Sequence, residues 1–185
     1  MSRPLRVDAA RNRARVLDAA GEVFDELGPD ASTEEVARRA GVGIGTVFRH
    51  FPTKEALLSA VLVERLSTMA ELAERLTAEG DPATSLADFF RHVTARAAGK
   101  LVVHRALVEA GVDVMDARRE VDARMRAALG ALLTTAQEAG EVRRDLGTAE
   151  LILLIRAASA VAETTSDPAA RDRAIGVLLD GLRPR

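Results

Sequence analysis

Apolar side chains recur along this chain at spacings that place them on one face of a helix, and the stripes predict nine helices. Val16, Leu17, Ala20, Val23, Phe24 and Leu27 mark a first helix over residues 9–27, stopped by Gly28-Pro29-Asp30. A fourth, over 54–79, opens after Pro52 with Thr53 as its cap and buries Leu58, Leu62, Leu66, Met69, Leu72 or Ala73, and Leu76. At 1.5 Å per residue it is on the order of 40 Å long, enough to reach from a first domain into a second. The fifth is expected from Asp81 as cap and Pro82 as first helical residue to about residue 99, with Leu86, Phe89, Phe90, Val93 and Ala97 inward. A short sixth covers 101–110. The seventh, 114–139, turns Val121, Met125, Ala128, Leu129, Leu132, Leu133 and Ala136 inward, leaves Arg118, Arg119, Glu120 and Arg124 in water, and closes at Gly140.

The eighth, 148–164, differs in kind. Leu151, Ile152, Leu153, Leu154 and Ile155 are consecutive, so apolar groups point all round the axis and more than one side must be covered. A short buried strand is the rival reading, but the small residues of 158–162 continue helically. The ninth, 168–182, is capped by Asp167 and shows Ala174, Ile175, Val177, Leu178 and Leu182 on a wide face. One small core does not readily cover both. Either they close as a hairpin within one chain, or a second copy packs them into a four-helix interface through Leu151, Leu154, Ile155, Ala158, Ile175, Leu178 and Leu182.

Residues 32–54, STEEVARRAGVGIGTVFRHFPTK, carry the most specific pattern. Ser32 can cap a second helix, and the Glu35 carboxylate, three residues on, can reach back to the cap amide. Val36, Ala37 and Ala40 give that helix a small apolar face, and Ala37 lets another helix cross closely. Gly41 falls where the turn needs a left-handed backbone. Val42 and Val47 fill the angle to a third helix, 44–51, which ends before Pro52. This is the layout of a DNA-reading helix-turn-helix.

The stretches Ser32-Thr33, Val36-Ala37, Ala40-Gly41-Val42, Gly45-Thr46, Phe48-Arg49-His50-Phe51 and Thr53-Lys54 resemble the DNA-binding domain of tetracycline-repressor-like (TetR family) regulators, over roughly residues 9–66. Beyond that span, helix lengths and the Ala139–Leu146 turn look family-like. The family usually has tyrosine where this chain has Phe48, which keeps the packing and loses a hydroxyl for a phosphate. The resemblance implies an all-α fold: a three-helix, homeodomain-like head in residues 1–52 and a six-helix dimerisation and sensing domain in 53–185.

It also implies a homodimer, joined through the eighth and ninth helices, placing two recognition helices in successive major grooves of a palindromic duplex about 34 Å apart. Phosphate contacts then fall to Thr33, Thr46, His50 and Lys54, with Arg11 and Arg15 behind them; Thr33 and Lys54 sit at helix N-termini, where amides also favour phosphate. Base edges fall to Gly43, Ile44, Gly45 and Arg49, the last able to take guanine bidentately. Phe48 is expected among these DNA-facing residues. His50 has a plain alternative as an interior hydrogen-bonded side chain, and Phe48 and Phe51 as core. A small-molecule effector among the fourth to eighth helices would meet Phe89, Phe90, Val93, His104, Leu107, Met125 and Arg156, with His92, Arg96 and Glu109 as polar possibilities; the alternative is that these are ordinary core and surface.

Composition narrows the field. With 185 residues, 48% hydrophobic content and only 3% aromatic, the core is aliphatic, which suits packed helices. The absence of cysteine excludes disulfides, thiolate metal sites and cysteine nucleophiles. No apolar run reaches the roughly 18 residues of a membrane span, so a cytoplasmic protein is expected. Net charge is -2, yet Arg3, Arg6, Arg11, Arg13 and Arg15 crowd the N-terminus against Asp8 alone, as either a phosphate-seeking arm or a solvated tail. His50, His92 and His104 lie at no metal-ligand spacing, and neither a phosphate-cradling glycine loop nor a nucleophile elbow is present, so no enzyme and no cofactor are expected. An adaptor that binds protein through the same head, and a regulator without a ligand, are the competing classes.

Overall fold

A computed structural model describes residues 3–95, 107, 115–165 and 167–184, and every regular element among them is an α-helix. The helices are α1 (Arg3–Leu27), α2 (Thr33–Ala40), α3 (Ile44–His50), α4 (Lys54–Glu79), α5 (Ser85–Ala95), α6 (Met115–Glu138), α7 (Thr148–Thr164) and α8 (Pro168–Asp180). The helix expected over 101–110 lies outside the described residues except for Leu107, which is buried. Packing divides the chain into residues 1–64 with 99–117, and residues 65–98 with 118–185, so α4 contributes to both units.

In the first unit, α1 begins at Arg3 rather than at residue 9. Pro4 falls in the first turn, where its missing amide proton has no intrahelical partner to lose. Gly28, at φ 84, ends the helix. Ser32 caps α2 as expected, its hydroxyl accepting from the Glu35 amide at 3.2 Å. The Glu35 carboxylate does not complete a capping box; it takes the Arg38 guanidinium at 2.8 and 2.6 Å. A charged, bidentate partner one turn away outcompetes a neutral amide. Gly41 sits at φ 65, ψ 37, with its amide on the Arg38 carbonyl and the Val42 amide on that of Ala37, a turn open to glycine at little cost. Val16, Val23, Val36, Val47 and Leu57 are fully buried together with Phe24. Each such side chain contributes about 1.5–3 kcal/mol of burial.

Arg39 ties α2 to α1. Its two terminal nitrogens donate to Glu26 at 2.9 and 2.8 Å, with Glu22 at 3.8 Å and Glu35 at 3.6 Å. The Glu26 carboxyl is held below its ordinary 4.5 by the Arg39 hydrogen bonds, and that of Glu35 by those from Arg38. A carboxyl whose pKa folding lowers adds stability above its unfolded value and loses it as pH falls through the folded one. Arg39→Gln is therefore expected to lower Tm slightly at pH 7, since exposed pairs are individually weak. The gap to the parent should narrow as the melts are taken below about pH 4.5; a gap independent of pH would refute the assignment.

In the second unit, Phe89 and Phe90 of α5 sit in a closed core with Leu86, Val93, Leu129, Leu132, Leu151 and Ala158. The Asp81 carbonyl receives the amides of Thr84 and Ser85, and its carboxylate that of Ala83 at 3.0 Å. Residues 82–84 are thus a turn, and α5 begins at Ser85, three residues later than Pro82 predicts. The turn after α6 opens with Gly140 at φ 78, and the Gln137 amide nitrogen donates to the carbonyls of Arg143 and Leu146, both at 2.9 Å. Asp167 caps α8, accepting from the Ala169 amide at 2.9 Å.

Candidate nucleic-acid interface

The turn at Gly41 leads into a third helix of seven residues whose two sides are chemically unlike. Val47 is fully buried and Phe51, the residue that ends the helix, is 4% exposed. Ile44, Phe48 and Arg49 face outward, with Phe48 43% exposed. Gly43 and Gly45 complete this outer side, and a Cβ added at either would meet nothing within 4 Å. The fold itself therefore makes no demand for glycine at Gly45, where it costs a helix roughly 1 kcal/mol against alanine. What glycine leaves there is bare backbone on an open face, the condition for close approach by a partner.

Charge is sorted in the same unit. Arg38 and Arg39 are taken up by Glu35 and Glu26, and the hydrogen bonds of these carboxylates raise both guanidinium pKa values. Arg49, by contrast, makes no hydrogen bond or ion pair among the described residues and stands exposed. Thr33 and Lys54 occupy the first positions of α2 and α4, both half-buried. The Thr53 hydroxyl caps α4, accepting from the Ala56 amide at 3.1 Å. Thr46 donates its amide to the Gly43 carbonyl at 2.8 Å. His50 is half-buried, its ring 6.4 Å from that of Phe51.

On α1, Arg11 lies 3.9 Å from Asp8, and Arg15 donates to Asn12 at 2.6 Å; both are exposed. Arg13 is grouped with them by sequence, but its guanidinium carbon lies 5.2 Å from the centroid of the Phe51 ring. Nothing in the spacing of two residues so far apart announces such a contact.

The residues expected at an effector site fall in both units. Phe89, Phe90, Val93 and Met125 belong to the closed core, whereas Arg156 is exposed on α7 and Leu107 packs with the first unit's residues. His92 is half-buried, and His104, Arg96 and Glu109 lie outside the described residues. A recess of about 160 Å³ is floored instead by Leu86, Ala136, Val142 and Leu182, with Arg91 and Arg183 at its edge. Of the seven residues expected to join two copies, Leu151, Ile155, Ala158, Ile175 and Leu182 are buried within the protomer and Leu154 and Leu178 are half-buried. The large apolar side chains left facing outward on α7 and α8 are Leu153 at 63%, Val161 at 42% and Val177 at 73% exposure. No described helix is long and apolar enough to cross a membrane.

Two family models match the chain. That described as "Bacterial regulatory proteins, tetR family" covers residues 16–61. That described as "Transcriptional regulator SbtR-like, C-terminal domain" covers residues 81–184. The crystal structure of a TetR transcription regulatory protein from Mycobacterium vanbaalenii is 42% identical, with 98% of this chain and 100% of that one covered at a TM-score of 0.79. The uncharacterized HTH-type transcriptional regulator TtgW of Pseudomonas putida is 46% identical over 66 residues, 35% of this chain and 49% of that protein. The A-factor receptor protein of Streptomyces griseus is 39% identical over 74 residues, 40% of this chain and 25% of that protein. The chain thus matches half or less of the length of these two curated relatives.

Proposed function

Since the chain belongs to the tetR family of helix-turn-helix transcriptional regulators, we propose that it is a homodimeric repressor of a palindromic operator, released by a small-molecule effector. Residues 1–52 act as the reading head and 53–185 as the dimerisation and sensing domain. The observation that carries this reading is the outer side of α3. There an exposed arginine without a carboxylate partner, an isoleucine and two bare glycines stand together while the neighbouring arginines are neutralised. Arg49 would take a guanine edge and Ile44 a thymine methyl. Thr33, Thr46, His50 and Lys54 would hold phosphates, with Arg11 and Arg15 at the flank.

Leu153, Val161 and Val177, with the half-buried Leu154 and Leu178, would form the joint between two copies. The effector reading is supported by the relative named as a receptor for A-factor, which this chain matches over 74 residues. The purified full chain should select an inverted repeat from random-sequence duplexes, with half-sites about 34 Å apart and affinity falling steeply with salt. Binding every duplex alike, or none at low salt, would overturn the proposal.

A further inference from the structure

α3 is too short to hold its own orientation. Seven residues lie well below the length at which a helix is stable alone. Its first turn is also opened by Gly43, which makes no side-chain cap hydrogen bond. What fixes it is the burial of Val47 and of Phe51, whose amide donates to the Val47 carbonyl at 2.8 Å. Over the Phe51 ring lies the guanidinium of Arg13, supplied by α1. Arg13 is itself exposed, so its planar cation covers a ring that is only 4% accessible. Arg11 and Arg15 share one face of α1 with their partners Asp8 and Asn12, and Arg13 is turned about 200° from both. The three arginines therefore serve different ends.

We propose that Arg13 is a positioning residue for the reading helix: it acts through Phe51, lying over the ring that terminates α3, and not by contact with DNA. Phe51 directly follows the outward-facing Arg49 and the half-buried His50, so a ring free to shift would carry them with it. A guanidinium lays a broad planar cation over the ring, whereas an ammonium is a compact, strongly hydrated charge that covers less of it. A phosphate needs only the charge.

This separates the two roles cleanly. Arg13→Lys and Arg13→Ala are compared with the parent chain on two duplexes, the inverted repeat that the protein itself selects and a scrambled sequence of equal composition. A positioning role predicts that both variants lose preference for the selected duplex by roughly two- to fivefold. The slope of log affinity against log salt should be unchanged. A phosphate contact predicts instead that Arg13→Lys binds as the parent does, and that Arg13→Ala weakens on both duplexes with the slope reduced by about 1.8, which is about 0.9 for each head. A purely structural role would lower binding to both duplexes in proportion to the fraction unfolded, leaving their ratio unchanged. Either of these results overturns the proposal, as does an unaltered ratio in Arg13→Lys. The inference rests on the regulator reading, and the parent's own ratio tests that reading separately: a parent without preference sinks the function, not the role of Arg13.

Discussion

Val177→Asp or Leu153→Arg is expected to convert the protein to a monomer and to lower its affinity for its inverted repeat by about a hundredfold or more. Both side chains are largely exposed, at 73% and 63%, so neither change disturbs the core beneath. In a two-fold joint each substitution appears twice, and near the axis the two new charges face each other or sink into apolar surface without partners. A single head retains only its own phosphate and base contacts, which brings its affinity towards the range of non-specific binding. Light scattering reads the mass, and titration of the selected duplex reads the affinity. Variants that stay dimeric with parent-like binding would remove α7 and α8 from the joint. Leu151→Ala makes the contrast: that residue is fully buried, and its loss should cost about 2–5 kcal/mol of stability while leaving the outer face intact.

The difference between Leu151 and Leu153 shows where the sequence stops being informative. Five apolar residues in a row establish that α7 is covered on several sides, but the run has no phase, so it cannot say which side meets the protomer and which is left outward. Phase was legible where polar residues break the pattern. All seven residues of α6 assigned inward are buried. Helix ends were legible where one residue has one job, as with Ser32, Gly41, Thr53 and Asp167. They failed where two partners compete for a group: Glu35 chose an arginine over a cap, and Asp81 made a turn before a helix. Contacts between residues remote in sequence, such as Arg39 with Glu26 and Arg13 with Phe51, left no trace in spacing. The helix-turn-helix was readable because its chemistry is local. An effector site has no such local signature: Phe89, Phe90, Val93 and Met125 read equally well as core, and buried they are.

Arg49→Ala is expected to reduce preference for the selected duplex over a scrambled one roughly ten- to hundredfold for each head, and so about a hundredfold or more for the dimer, the worth of one bidentate base contact at about 1–3 kcal/mol per head. Its side chain is exposed and pairs with nothing among the described residues, so the fold loses no contact when it is truncated. This sets it apart from Arg39, whose loss removes the cation that Glu22 and Glu26 face, while Glu35 keeps Arg38. Lys54→Ala provides the internal reference. A cation at the first position of α4 that meets a phosphate carries no sequence information. Removing it from both heads should weaken both duplexes by a similar factor and lower the salt slope by about 1.8, which is about 0.9 for each phosphate contact. The two variants therefore move different observables, one the ratio and the other the slope. If Arg49→Ala kept the parent's ratio, the reading of bases would have to pass to Ile44 and the backbone around Gly43 and Gly45. In that case Gly45→Ala, which puts a methyl group into the open face without touching the protomer, would become the variant that abolishes choice.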